Sequence, residues 1–144
     1  MANITLGQLR DLWQAVADWA NGLKEPKVQL SGRKAEDVTL QNAATSPGDG
    51  TPYAPSTTSI LTFEIRGTST SRTVVFELAG PSGTYVPCQA VRLTDYAMAS
   101  YTSGGNDAAP ESWQVEVPAG WSFRARISEV SGGTVTVVGK GVAV

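Results

Sequence analysis

From Thr58 onward, apolar and polar side chains alternate with a period of two, and few folds are compatible with that pattern. In 60–66, Leu61, Phe63 and Ile65 share one side, while Thr62, Glu64 and Arg66 share the other. In 73–79, Val74, Phe76 and Leu78 alternate with Thr73, Val75, Glu77 and Ala79. Trp113, Val115 and Val117 alternate with Gln114 and Glu116. Trp121, Phe123, Ala125 and Ile127 alternate with Ser122, Arg124, Arg126 and Ser128. A short run at 134–138 and a glycine-rich terminal stretch close the chain. Turn-forming clusters separate the runs at 67–69, 80–83, 103–106, 118–120 and 131–133. Short strands with one apolar face each must bury those faces against one another. The expected fold is mainly β: an antiparallel, jelly-roll-like β-sandwich over 58–144, preceded by an N-terminal α-helix.

The helix is expected from a different period. Leu6, Leu9, Trp13, Val16, Ala20 and Leu23 fall at alternating spacings of three and four, the a/d seam of a coiled coil, and Leu12 and Trp19 widen it on one flank. Thr5 and Gln8 fit a capping box at the start, and Asn21-Gly22 followed by Pro26 supplies stop signals. Such a helix is marginal alone in water. Its stripe needs a partner surface, and its width favours more than two helices. These eight residues are the candidate oligomerisation and anchoring positions. Self-association, docking on another protein and packing on the chain's own sheets are the three ways to cover them.

Between the helix (1–26) and the sandwich (58–144), segment 27–57 is expected to be an extended arm and linker. Residues 27–31 and 37–41 alternate as two short strands around Gly32. Residues 42–59 hold Pro47, Pro52 and Pro55 with Gly48 and Gly50, and read as a loop that either bounds the sandwich or wraps it.

Catalytic options are few. The chain has no histidine, which removes the commonest general base and metal ligand together. Cys88 is the only cysteine, sits in an apolar run and reads as a buried, inert thiol. Glu64 and Glu77 lie on polar strand faces, and as cross-strand neighbours they would form a glycosidase-like pair. Pairing with Arg66, Arg72, Arg124 or Arg126 is the expected arrangement instead. Asp49, Asp95 and Asp107 sit in loops without Asp-x-Asp-x-Asp spacing and are expected to form turns rather than hold calcium. Trp113 and Trp121 are expected in the core, whereas Tyr53, Tyr96 and Tyr101 are the candidates for an exposed surface or glycan contact.

A net charge of −2 gives no electrostatic basis for nucleic-acid binding. The N-terminus has no basic stretch followed by an apolar core, and no apolar run approaches the length of a membrane span. Neither a cofactor nor a metal is expected.

The order of four segments carries a resemblance: SRTVVFE (71–77), GTYVPCQAVRL (83–93), WQVEVPAGWSFRARI (113–127) and SGGTVTVVG (131–139). In that order they resemble small β-sandwich proteins encoded among tailed-bacteriophage virion genes. In place of the Asp-Gly-x-x-Trp turn of many relatives stands Ser82-Gly83-Thr84-Tyr85. The resemblance implies a non-enzymatic structural protein of the virion surface, assembled in the host cytoplasm: a capsid decoration or head-fibre protein, or a tail accessory. The expected partners are further copies in a homotrimer and the major capsid protein or another virion protein. The alternative is a carbohydrate-binding, host-adhesion module of a tail or baseplate, with a host-surface glycan as partner.

Overall fold

The computed structural model of the protein describes residues 5–24 and 33–144, with side chains over 5–17 and 33–144. The chain divides into two compact units, 1–32 and 33–144. The strand expected at 27–31 and the stop signal at Pro26 lie outside the described residues.

In the first unit, α1 spans Leu6–Lys24. The capping box forms as the sequence predicts: the Thr5 backbone N–H donates to Gln8 Oε1 at 2.9 Å, and the Gln8 N–H donates to Thr5 Oγ1 at 3.2 Å. Two of the first-turn donors that a helix leaves unpaired are thereby satisfied.

The second unit is a sandwich of two antiparallel sheets. Its strands are β1 (Ala35–Ala44), β2 (Ser59–Gly67), β3 (Ser71–Ala79), β4 (Tyr85–Pro87), β5 (Ala90–Arg92), β6 (Met98–Ala99), β7 (Tyr101–Gly104), β8 (Glu111–Val117), β9 (Ser122–Ser131) and β10 (Val135–Ala143). Six of them form one sheet in the order β1-β10-β2-β8-β5-β6. In the other sheet, β9 pairs along the whole of β3, while β7 and β4 pair with β3 in succession, at 72–75 and 77–79. From β2 to β10 the chain changes sheets repeatedly. A strand on one sheet is therefore often followed by one on the other, and each alternating run places its apolar side toward the shared interior.

That interior matches the period-two reading. Leu61, Phe63, Ile65, Val74, Phe76, Trp113, Val115, Val117, Phe123, Ala125 and Ile127 are all buried. Phe63 and Trp113 from one sheet meet Phe76 from the other at ring-centroid distances of 5.4 and 4.9 Å. Phe63 also lies 5.6 Å from Phe123.

The sheets also take in residues that the alternation after Thr58 does not reach. β1 pairs with β10 from Ala35↔Val142 to Ala44↔Val135 and buries Val38 and Leu40. The stretch expected to be a loop over 42–59 starts inside β1 and then runs along β9. There Gly48 and Ile127 exchange two backbone hydrogen bonds of 2.9–3.0 Å, and Tyr53 and Phe123 exchange two of 2.8–2.9 Å. Gln41 Nε2 ties the stretch down by donating to the carbonyls of Gly48 (3.1 Å) and Ala125 (2.8 Å). Of the two loop readings, the wrapped crossover is the one observed. Backbone pairing at two isolated points needs no alternating side chains, so the sequence carries no strand signal there.

Gly139 sits at a close approach within the six-stranded sheet, opposite Val38 on one side and Phe63 on the other. A Cβ at this position would collide with the Thr62 carbonyl oxygen and lie 2.7 Å from Phe63 Cα. Both obstacles are backbone and have nowhere to retreat. Gly139→Ala is therefore expected to lower the unfolding free energy by about 1–3 kcal/mol, read from urea denaturation. Gly48→Ala, where a Cβ meets nothing within 4 Å, is the control and is expected to change little.

Candidate functional site: the uncovered stripe of the leading helix

In the described part of α1, the large side chains of the apolar stripe are exposed. Leu6 is 84% exposed, Trp13 68%, Leu12 59%, Val16 49% and Leu9 43%. These are five of the eight positions singled out by the heptad spacing. The side chains of Trp19, Ala20 and Leu23 lie outside the described residues. Numbered as a heptad, Leu6 and Trp13 take a positions, Leu9 and Val16 take d, and Leu12 takes g. An a/d/g stripe is broader than the a/d seam of a two-stranded coil. Leaving large apolar side chains in water forgoes roughly 1.5–3 kcal/mol each on burial. The arrangement has no acid–base or ligand-holding groups; what it offers is apolar area on a well-capped helix.

The three candidate tyrosines do not come together. Tyr53 is buried rather than exposed: its backbone pairs with Phe123, and its ring fills the space left by the absent side chain of Gly141. Loop composition misled the expectation because this loop lies along the sandwich. Tyr96 is 77% exposed in the turn between β5 and β6, with a left-handed φ of 58°. Tyr101 is 58% exposed on β7, in the other sheet. Trp113 is buried as expected, and Trp121 packs against the core while partly exposed.

The carboxylates form ion pairs. Glu64 and Glu77 are not cross-strand neighbours, because β2 and β3 belong to different sheets. Glu64 is 3.7 Å from Arg66 on an exposed face. Glu77 is buried, and its Oε1 accepts from Arg124 Nε at 3.0 Å and Arg126 Nε at 2.8 Å. Burial alone would push the Glu77 carboxyl up, but the two guanidinium groups outweigh it and hold the group below its ordinary range. Arg124 also reaches Asp49 at 3.3 Å and lies 3.8 Å over the Tyr85 ring. Asp95 closes a turn with Arg92 at 2.7 Å, and the hydrogen bonds it accepts from the Arg92 side chain and from the Ala97 N–H hold its carboxyl down to about 2. Cys88 packs at the core edge, where burial and the Glu77 charge push its thiol up to about 11.

One polar cluster escaped the sequence reading. Arg72 faces the interior with no exposed side-chain surface. Its Nε and Nη2 donate to the two carboxylate oxygens of Asp107 at 2.9 and 3.1 Å, and Nη2 also reaches Glu111 Oε2 at 3.0 Å. Glu111 Oε1 in turn accepts from Thr102 Oγ1 and Trp113 Nε1, both at 2.7 Å. The signal was present: Arg72 has the same strand parity as the buried Val74 and Phe76. The partners could not be read, because Asp107 follows an irregular loop and Glu111 opens a strand on the opposite sheet. Each of the three loop aspartates therefore answers to a different arginine, with no two sharing a site.

The sandwich has solved counterparts. The SPBc2 prophage-derived protein YomS superposes with a TM-score of 0.69 at 28% identity, covering 76% of this chain and 94% of that one. The PBSX exported protein XepA superposes with a TM-score of 0.73 at 25% identity, covering 83% of this chain but 41% of that one. The chain thus spans about two fifths of the XepA chain and nearly all of YomS. No protein of curated function matches the sequence. The sequence profile of the XepA family matches residues 34–141, which runs from just before β1 into the last strand, β10, and leaves out α1. On that match, and on a fold shared with two solved relatives, the chain belongs to the XepA family of phage-associated β-sandwich proteins.

Proposed function

We propose that this protein is a non-enzymatic structural component of a phage particle. It associates through α1 into an oligomer of at least three copies and carries its sandwich on the particle surface, as a capsid decoration or head-fibre protein does. The observation that carries this reading is the stripe of Leu6, Leu9, Leu12, Trp13 and Val16, open to water on a helix with a complete N-terminal cap. Three or more parallel copies bury an a/d/g stripe that two copies leave partly wet. The family match supports the phage setting, and the ion-paired state of Glu64 and Glu77 supports a structural role over a hydrolytic one. On a symmetric particle each copy's contact is reinforced by its neighbours, since tethered contacts form at high effective concentration.

Sedimentation velocity on the full chain and on a chain beginning at Arg33 tests the assembly. The full chain is expected to run as a trimer or larger closed oligomer. The shortened chain, which keeps the matched sandwich, is expected to run as a monomer with unchanged β-sheet circular dichroism. Leu9→Asp with Val16→Asp in the full chain is expected to do the same. A full-length monomer, or an oligomer that survives loss of the helix, removes α1 from the role. Mass spectrometry of purified particles tests the setting. The name of one relative, an exported protein, favours a second reading in which the protein acts free of the particle. Its absence from purified particles, with presence in the medium, decides for that second reading.

A further inference from the structure

The exposed side of the four-stranded sheet has an ordered arrangement that the assembly role leaves unused. Three registers place its residues in rows. Val75 lies opposite Arg126 on β9 and opposite Tyr101 on β7. Thr73 lies opposite Ser103, and their hydroxyls are 3.0 Å apart. Glu77 lies opposite Arg124. Directly paired residues of an antiparallel ladder share a face, so Tyr101, Val75 and Arg126 form one row. The Thr73–Ser103 hydroxyl pair borders that row on one side, and the Glu77–Arg124 pair borders it on the other.

The groups in these rows differ in how firmly they are held. Arg126 is fixed by its Nε–H bond to Glu77 at 2.8 Å, and Glu77 is itself clamped by Arg124. The Thr73 and Ser103 hydroxyls hold each other. Tyr101 is 58% exposed at one end of the row, and the Arg126 side chain at the other end is about one-third exposed. The result is a small apolar strip, one ring and one valine, bordered by hydrogen-bonding groups already locked in place. Two interstrand steps make the row roughly 10 Å across.

We infer that this face is a glycan-contact site, with one or two sugar rings stacking on Tyr101 and Val75 and with hydroxyls bonding to Arg126, Thr73 and Ser103. The size and chemistry of the strip select that occupant. A protein partner needs about 800 Å² per side with an apolar centre from which charges are depleted, and this strip is far smaller and bordered by charge. A nucleic acid needs uncompensated positive charge, and here Glu77 and Asp49 neutralise the two arginines. A sugar ring has an apolar C–H face over a rim of hydroxyls, which matches an exposed aromatic ring flanked by preorganised donors and acceptors. Fixing those groups in advance removes the ordering cost that weakens contacts to free surface side chains.

The test uses the full chain on an immobilised panel of neutral hexose, N-acetylhexosamine and uronate oligosaccharides, followed by titration calorimetry with the best-retained member. At least one oligosaccharide is expected to bind. Tyr101→Ala and Arg126→Ala are each expected to weaken it at least tenfold, whereas Tyr101→Phe, which keeps the ring, is expected to stay within about threefold. Tyr96→Ala, on the other sheet, is expected to have no effect. Tyr101 is exposed, so its replacement is expected to leave the melting temperature unchanged, and that measurement separates lost contact from lost fold. Failure of every panel member to bind overturns the proposal, as does binding that is indifferent to Tyr101→Ala or is lost with Tyr96→Ala instead.

Discussion

Arg72→Ala is expected to lower the unfolding free energy by about 3–5 kcal/mol, read as a shift of the urea midpoint at unchanged slope. The size follows from what the substitution leaves behind. The Arg72 side chain has no exposed surface, while the Asp107 and Glu111 side chains are 10% and 20% exposed. Removing the guanidinium strands two shielded carboxylates without their counter-charge, and it empties the space that the arginine stem filled. The forked contact to Asp107 matters as well as the charge, because Nε and Nη2 meet both oxygens in parallel. Arg72→Lys keeps the charge and loses the fork, so it is expected to recover part of the stability and not all of it. A cost below about 1 kcal/mol for Arg72→Ala would place this cluster among ion pairs of surface strength.

Trp113→Ala is expected to cost a similar amount, about 3–5 kcal/mol, by a different route. Trp113 is 1% exposed, lies 4.9 Å from Phe76 across the two sheets, and has Arg92 5.6 Å from its ring centre. Its loss opens a cavity at the point where the sheets meet. It also removes one of the two donors to Glu111 Oε1, leaving Thr102 alone on that oxygen. Trp113→Phe fills most of the volume while withdrawing the N–H, and its expected cost is about 1–3 kcal/mol. Because Glu111 joins Arg72 to Trp113, the two alanine substitutions share a partner. The double variant is expected to deviate from additivity by about 0.5–3 kcal/mol. Strict additivity would mean that Glu111 does not transmit between them.

Much of this architecture is legible in local patterns. The Thr5–Gln8 cap, the helix after it and the strands around Leu61, Val74, Val115 and Phe123 follow from spacings within a few residues. Those spacings decide which side of each element is apolar. β4 to β7 are two to four residues long, too short to show a period, and they remain invisible until their neighbours fix them. The same holds for Tyr53, whose exposure depended on where a proline-rich loop was laid down.

By itself the sequence determined α1, the alternating strands after Thr58, the apolar stripe of α1 and the lack of histidine-based chemistry. These properties depend on residue type and near-neighbour spacing alone. The tertiary structure decided which strands share a sheet. It thereby parted Glu64 from Glu77, joined Arg72 to residues 35 and 39 positions away, and set Tyr101 and Arg126 on either side of Val75. Such pairings are fixed by the energy of closing the whole sandwich. Each depends on the register of two strands at once, and neither strand's sequence states it alone.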